Sequence, residues 1–108
     1  MRNYVTISIL PLDQIHQVNC TSLFGAITFK SVLEQLVEFH PNLTLVTKRY
    51  PSRGDLLIEF AGIKNTDELS WVYFVEEKFV YESIDRCIVK PGNELTLDFC
   101  LRKIPIAV

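Results

Sequence analysis

The sequence predicts an α+β fold in which one helix packs on a mixed β-sheet. Three observations carry that expectation. Most apolar segments alternate at period two, the signature of half-buried strands. Only one stretch repeats at helical spacing. Strands and helices do not alternate along the chain, which argues against a doubly wound parallel sheet. With 108 residues, 48% of them hydrophobic, the chain is the size of a single domain, 1–108, burying roughly two-thirds of its unfolded surface.

The elements follow in order. Tyr4 to Leu10 alternates, with Val5, Ile7 and Ile9 on one face, and Pro11 ends the strand. Ile15 to Cys20 alternates again and reads as the returning arm of a hairpin. The period then changes. Phe29, Val32, Leu33 and Leu36 fall on one side of a helix. Thr28 is a candidate N-cap, Ser31 with Glu34 fits a capping box one turn later, and Pro41 stops the helix. Further strands are expected over 43–46, 55–60, 71–75 and 79–81. The polar Glu76-Glu77-Lys78 joins the last two as a hairpin. Ser83 to Arg86 reads as a short helical turn, and Pro91-Gly92-Asn93 as a turn. Glu94 to Arg102 is the clearest strand, with Leu95, Leu97, Phe99 and Leu101 on its inner row and Cys100 off it. A strand hairpin, a helix and then more strands is the β-grasp order, the layout of ubiquitin-like domains.

Composition excludes several functions. Eleven Lys and Arg against thirteen Asp and Glu leave a formal charge of −2, so no basic surface is expected for nucleic acid or anionic membranes. No apolar run approaches the roughly 20 residues of a membrane span. Met1-Arg2-Asn3-Tyr4 lacks the apolar core of a signal peptide. The chain is therefore either cytosolic or a mature secreted chain. Cys20, Cys87 and Cys100 allow at most one internal bridge, and without a C-x-x-C pair they make a poor zinc site. Two sequons, Asn19-Cys20-Thr21 and Asn42-Leu43-Thr44, favour secretion and glycosylation at Asn19 and Asn42. His16 and His40 lack the spacing of metal ligands, and no motif gathers Ser or Cys with His and a carboxylate, so no enzyme is expected. Arg53-Gly54-Asp55 reads as a chance tripeptide. Ile104 to Val108 lacks the Gly-Gly end of a conjugated ubiquitin-like protein.

The second half carries a resemblance. Asp55, Phe60, Gly62-Ile63 and Asn65 are followed by Trp71-Val72-Tyr73-Phe74-Val75. Then come Ile84, Cys87 and Val89-Lys90-Pro91-Gly92-Asn93-Glu94-Leu95, with Leu97 and Phe99. This pattern resembles the C-terminal β-domain of transcobalamin and intrinsic factor, together with related small bacterial surface domains. The helix at Thr28 to Leu36 matches that family's helical segment, so the resemblance covers about residues 5 to 100. Glu82 stands near the family's Gly after the Trp hairpin, and Asn93 replaces its usual turn Asp.

The resemblance implies a secreted, non-enzymatic β-grasp that binds a small hydrophobic or cobalamin-like ligand. In that family a helical domain supplies the other wall of the cobalamin site. Here a helical partner or a homodimer is expected to supply it. Trp71 and Tyr73 share a strand face and could form an aromatic platform, with Glu77, Lys78 and Phe79 projecting over the ligand. The competing readings make Trp71 a core plug and the hairpin tip an ordinary solvated turn. A protein-interaction module of ubiquitin-like fold, without conjugation chemistry, is the functional alternative.

Overall fold

The computed structural model describes residues 3–21 and 27–102. Met1-Arg2 and Ile104 to Val108, considered above for signal and conjugation chemistry, lie outside the described residues. Among the described residues the fold is α+β, mostly sheet, with a mixed five-stranded sheet and one α-helix.

β1 (Tyr4–Ile9) and β2 (Gln14–Asn19) form an antiparallel hairpin. A 3-10 turn at Leu10–Leu12 joins them, and Asp13 closes it in the left-handed conformation (φ 51°). β8 (Glu94–Leu101) runs parallel to β1, from Thr6↔Glu94 to Ile9↔Leu97. β6 (Leu69–Val75) pairs antiparallel with β8 along its whole length, and β7 (Lys78–Phe79) returns against the end of β6. The sheet order is β2-β1-β8-β6-β7. Alternation puts Val5, Ile7, Ile9, Leu95 and Leu97 on one face, each at most 1% exposed.

Helix α1 (Phe29–Phe39) contributes Phe29, Val32, Leu33 and Leu36 to that core. Its start is set by Thr28, whose Oγ1 accepts from the Ser31 N–H while Ser31 Oγ accepts from the Thr28 N–H. The reciprocal cap thus uses Ser31 itself, not Ser31 with Glu34 one turn later. The segment Ser83–Val89 crosses this helix start. The Cys87 and Ile84 carbonyls accept from the Phe29 and Lys30 N–H groups at 2.9 and 3.0 Å. Every donor of the first helical turn is therefore satisfied without water. Ser83 to Arg86 makes the expected short helical turn, with the Ser83 carbonyl accepting from the Arg86 and Cys87 N–H groups at 3.0 and 3.1 Å. The Ile84 carbonyl of this turn and the Cys87 carbonyl just after it are committed to α1, so the turn does not propagate.

A second sheet departs from the single-sheet expectation. β3 (Leu45–Tyr50), β4 (Gly54–Phe60) and β5 (Ile63–Lys64) form an antiparallel three-stranded unit. β3 starts two residues after the expected Leu43, because Leu43 is buried in the turn after α1 with its N–H on the His40 carbonyl. Asn65 joins the two sheets by its side chain. Its Nδ2 donates to the Leu57 carbonyl of β4, and its Oδ1 accepts from the Trp71 N–H of β6, both at 2.9 Å. β4 and β6 are thereby tied through a side chain, with no ladder between them. At the far end of β8, Phe99 still packs against Trp71. Leu101, expected on the inner row, is 68% exposed because it pairs with Leu69 beyond the core.

Candidate ligand-binding cleft

Where β4 and β6 diverge, a cleft of about 570 Å³ opens. One wall is the face of the β3–β4 hairpin turned away from the core. Cross-strand pairing sets Lys48 opposite Leu56, with Val46, Tyr50 and Ile58 also lining the cleft. The other wall comes from β6, at Ser70 to Tyr73, and from Phe79 and Val80 at the β7 hairpin. Lys64, Asn65 and Arg102 complete the rim.

Trp71 and Tyr73 border this cleft from its core side and do not form an open platform. Trp71 is 4% exposed; its indole N–H donates to the Ile63 carbonyl at 2.8 Å, and its ring packs against Phe60 and Phe99. Tyr73 packs on Phe29 with ring centroids 5.0 Å apart, and its hydroxyl donates to the Glu82 carbonyl. Burial pushes the Tyr73 phenol above its ordinary pKa. Both polar ends are thus taken by the protein. A ligand would meet these side chains as fixed surfaces.

The hairpin tip divides. Glu77 and Lys78 are exposed and do not line the cleft. Glu76 and Glu77 both hold positive φ, 51° and 67°, the geometry of a two-residue type I′ hairpin. Glu76 is held by its N–H on the Glu94 carbonyl and by its carboxylate, which accepts from Asn93 Nδ2 and the Glu94 N–H. Phe79, by contrast, does line the cleft. It stacks edge-on with Phe74 and with Tyr81, which is 76% exposed.

Sequence reasoning missed Val46, Lys48, Tyr50, Leu56 and Ile58. The signal was present in the alternation Val46-Lys48-Tyr50 against Thr47-Arg49. It becomes visible only when the strand is placed at 45–50.

Other candidates resolve differently. Asp55 of the Arg53-Gly54-Asp55 tripeptide is 3% exposed and takes both Lys30 Nζ (2.7 Å) and Arg49 Nε (3.0 Å). Cys20, Cys87 and Cys100 form no disulfide. Cys20 and Cys87 are buried, and burial pushes the Cys87 thiol up to about 11, far from a reactive thiolate. His16 and His40 meet with ring centroids 4.5 Å apart. Among the described residues no three His, Cys, Asp or Glu side chains gather as metal ligands. Nor is any described helix long and apolar enough to cross a membrane. Asn19 and Asn42 are both exposed, and Asn19 Oδ1 accepts from the Thr21 N–H and hydroxyl.

No family model matches the sequence, and no curated protein matches it. Solved structures do. Haptocorrin in complex with Cbi aligns with a TM-score of 0.78 over 94% of this chain, at 14% sequence identity. The chain shares its fold with part of haptocorrin. It spans 25% of the length of that protein. A protein from Ruminococcus gnavus ATCC 29149, proposed to bind metal, aligns with a TM-score of 0.61 at 11% identity, over 93% of this chain and 98% of its own.

Proposed function

We propose that this protein is a non-enzymatic binding protein that takes a small hydrophobic or cobalamin-like ligand in the cleft between the β3–β4 hairpin and β6. The cleft itself carries the reading. Its volume of about 570 Å³ falls within the usual range for small-molecule sites, and its walls are apolar with a few polar groups. The fold shared with haptocorrin, a protein solved with Cbi, supports the ligand class. The parallel β1–β8 pair between two antiparallel hairpin arms supports a β-grasp of the transcobalamin β-domain type. An open cleft encloses only part of a large ligand, so a helical partner or a homodimer covers the rest. Exposed Asn19 and Asn42 fit a secreted glycoprotein.

A second reading has its own observation. β2 lies at the edge of the five-stranded sheet, and its Ile15 is 72% exposed. Such an edge suits a protein-interaction module.

Titration with cobalamin, followed by the fluorescence of Trp71, tests the first reading. Saturable quenching is expected, weakened about tenfold in Phe79→Ala through loss of an aromatic contact. Absence of any change in emission, alone or with a helical partner domain, would contradict it. Concentration-dependent self-association without a ligand response would favour the second reading.

A further inference from the structure

We propose that the ligand of this cleft is an anionic amphiphile, a small molecule with a carboxylate or phosphate group on an apolar body. The inference rests on the cleft being the binding site and adds the charge of what enters it. The chain as a whole is slightly acidic, at −2. Its charges are nonetheless segregated. Lys48, Arg53, Lys64 and Arg102 line the cleft, four of the chain's eleven basic residues, against Glu59 alone among thirteen acids.

These four cations differ in what already holds them. Arg102 donates to the Thr66 and Asp67 carbonyls. Lys64 reaches Glu59 at 4.0 Å. Lys48 rests over the Tyr50 ring, 5.2 Å from its centroid. Among the described residues neither Lys48 nor Arg53 has a carboxylate at ion-pair distance. They sit at the end of the cleft nearest the β3–β4 turn, beside Tyr50. Leu56, Ile58, Val72 and Phe79 supply the apolar surface.

Two uncompensated cations beside an apolar wall match a ligand with a charged head and an apolar body. An anion placed there gains charge-assisted hydrogen bonds in surroundings less polar than water. A neutral ligand leaves both cations without a partner, and a cationic one is repelled.

The test uses the full chain and three probes of equal chain length: decanoate, decanol and decyltrimethylammonium. Trp71 fluorescence and calorimetry report binding. Decanoate is expected to bind at least about tenfold more tightly than decanol, with a preference that shrinks at high salt. Decyltrimethylammonium is expected to bind weakest. Lys48→Met/Arg53→Met should remove the preference for decanoate while leaving decanol affinity in place. Lys48→Glu/Arg53→Glu should invert it. Both pairs lie at half-buried or exposed positions, so folding is preserved and is checked by thermal melting. Equal affinity for decanoate and decanol overturns the anionic assignment, and with cobalamin still bound it leaves the cleft as the site. Failure of every probe, cobalamin included, overturns both.

Discussion

The β3–β4 hairpin has two faces, and they treat charge in opposite ways. On one face Arg49 stands directly across from Asp55. Lys30 of α1 joins the same carboxylate, and Asp85 accepts from the Asp55 N–H at 2.9 Å while lying 3.7 Å from the Arg49 guanidinium. Two cations and two carboxylates from four segments thus close on one another. On the other face, one residue along the strand, Lys48 rests over the Tyr50 ring and has no ion pair among the described residues. Charges that are matched within the chain hold the fold together. Charges left unmatched beside an apolar cleft are available to a ligand. Strand alternation alone assigns Lys48 and Arg49 to these different tasks.

The largest expected effect lies on the matched face. Asp55→Ala removes the buried acceptor shared by Lys30 and Arg49. It should cost about 2–4 kcal/mol, less than a fully buried pair would lose because the side chains of Lys30 and Arg49 are 27% and 67% exposed and can rehydrate. Urea denaturation would read it. Lys48→Ala on the other face should change stability by no more than about 0.5 kcal/mol. Equal losses for the two would show that both faces of the hairpin hold the fold through their charges.

Gly54→Ala probes the backbone of the same face. Gly54 holds φ +87°, and an added Cβ would collide with Ser83 Oγ and lie 2.7 Å from Asp85 Oδ1. A loss of about 2–3 kcal/mol is expected, again by denaturation. Asp55 of the matched cluster should then be displaced from its partners, which the chemical shift of the Lys30 ammonium would show.

The β6–β7 tip sharpens the boundary of the cleft. Glu77→Gly relieves a left-handed non-glycine residue and should stabilise the protein by about 1 kcal/mol. Decanoate affinity should not change, because the Glu77 side chain does not line the cleft. A weakened affinity would place the tip in the site after all.

The smallest effect concerns a third region, where like charges would meet. Burial, and then the neighbouring His40, lower the His16 pKa below its ordinary 6.5. The unfolded chain therefore takes up this proton first. The contribution is present in full above about pH 6.5 and is lost as pH falls through that value toward the folded pKa. His16→Gln should flatten this shallow decline of the melting temperature between neutral and mildly acidic pH. An unchanged slope would show that the His16–His40 contact does not contribute to the pH dependence of stability.

Much of the fold could be read from local patterns. The alternation of β1 and β8 marked Val5, Ile7, Ile9, Leu95 and Leu97 as core, and Thr28 marked the helix start. The second sheet was not legible in the same way. Its third strand is only Ile63–Lys64, and its link to β6 is one Asn65 side chain, which no periodicity reveals. The cleft was harder still. Lys48 and Arg53 look like any solvated charges in a nearly neutral chain until pairing sets Lys48 against Leu56 on one surface. Trp71 and Tyr73 stood out by residue type, yet the Ile63 and Glu82 carbonyls that occupy their polar ends lie eight and nine residues away, where no periodicity points to them. Phe79 was singled out beside Lys78, and strand alternation within β7 separates the residue facing the cleft from the one facing water.

The most direct test is to map decanoate binding residue by residue by amide chemical shifts on the full chain. Saturable shifts are expected at Lys48, Tyr50, Leu56, Ile58, Val72 and Phe79, with His16, Phe39 and Glu77 unmoved. Shifts centred on β2 and the end of α1, or no shifts at saturating decanoate, would contradict it.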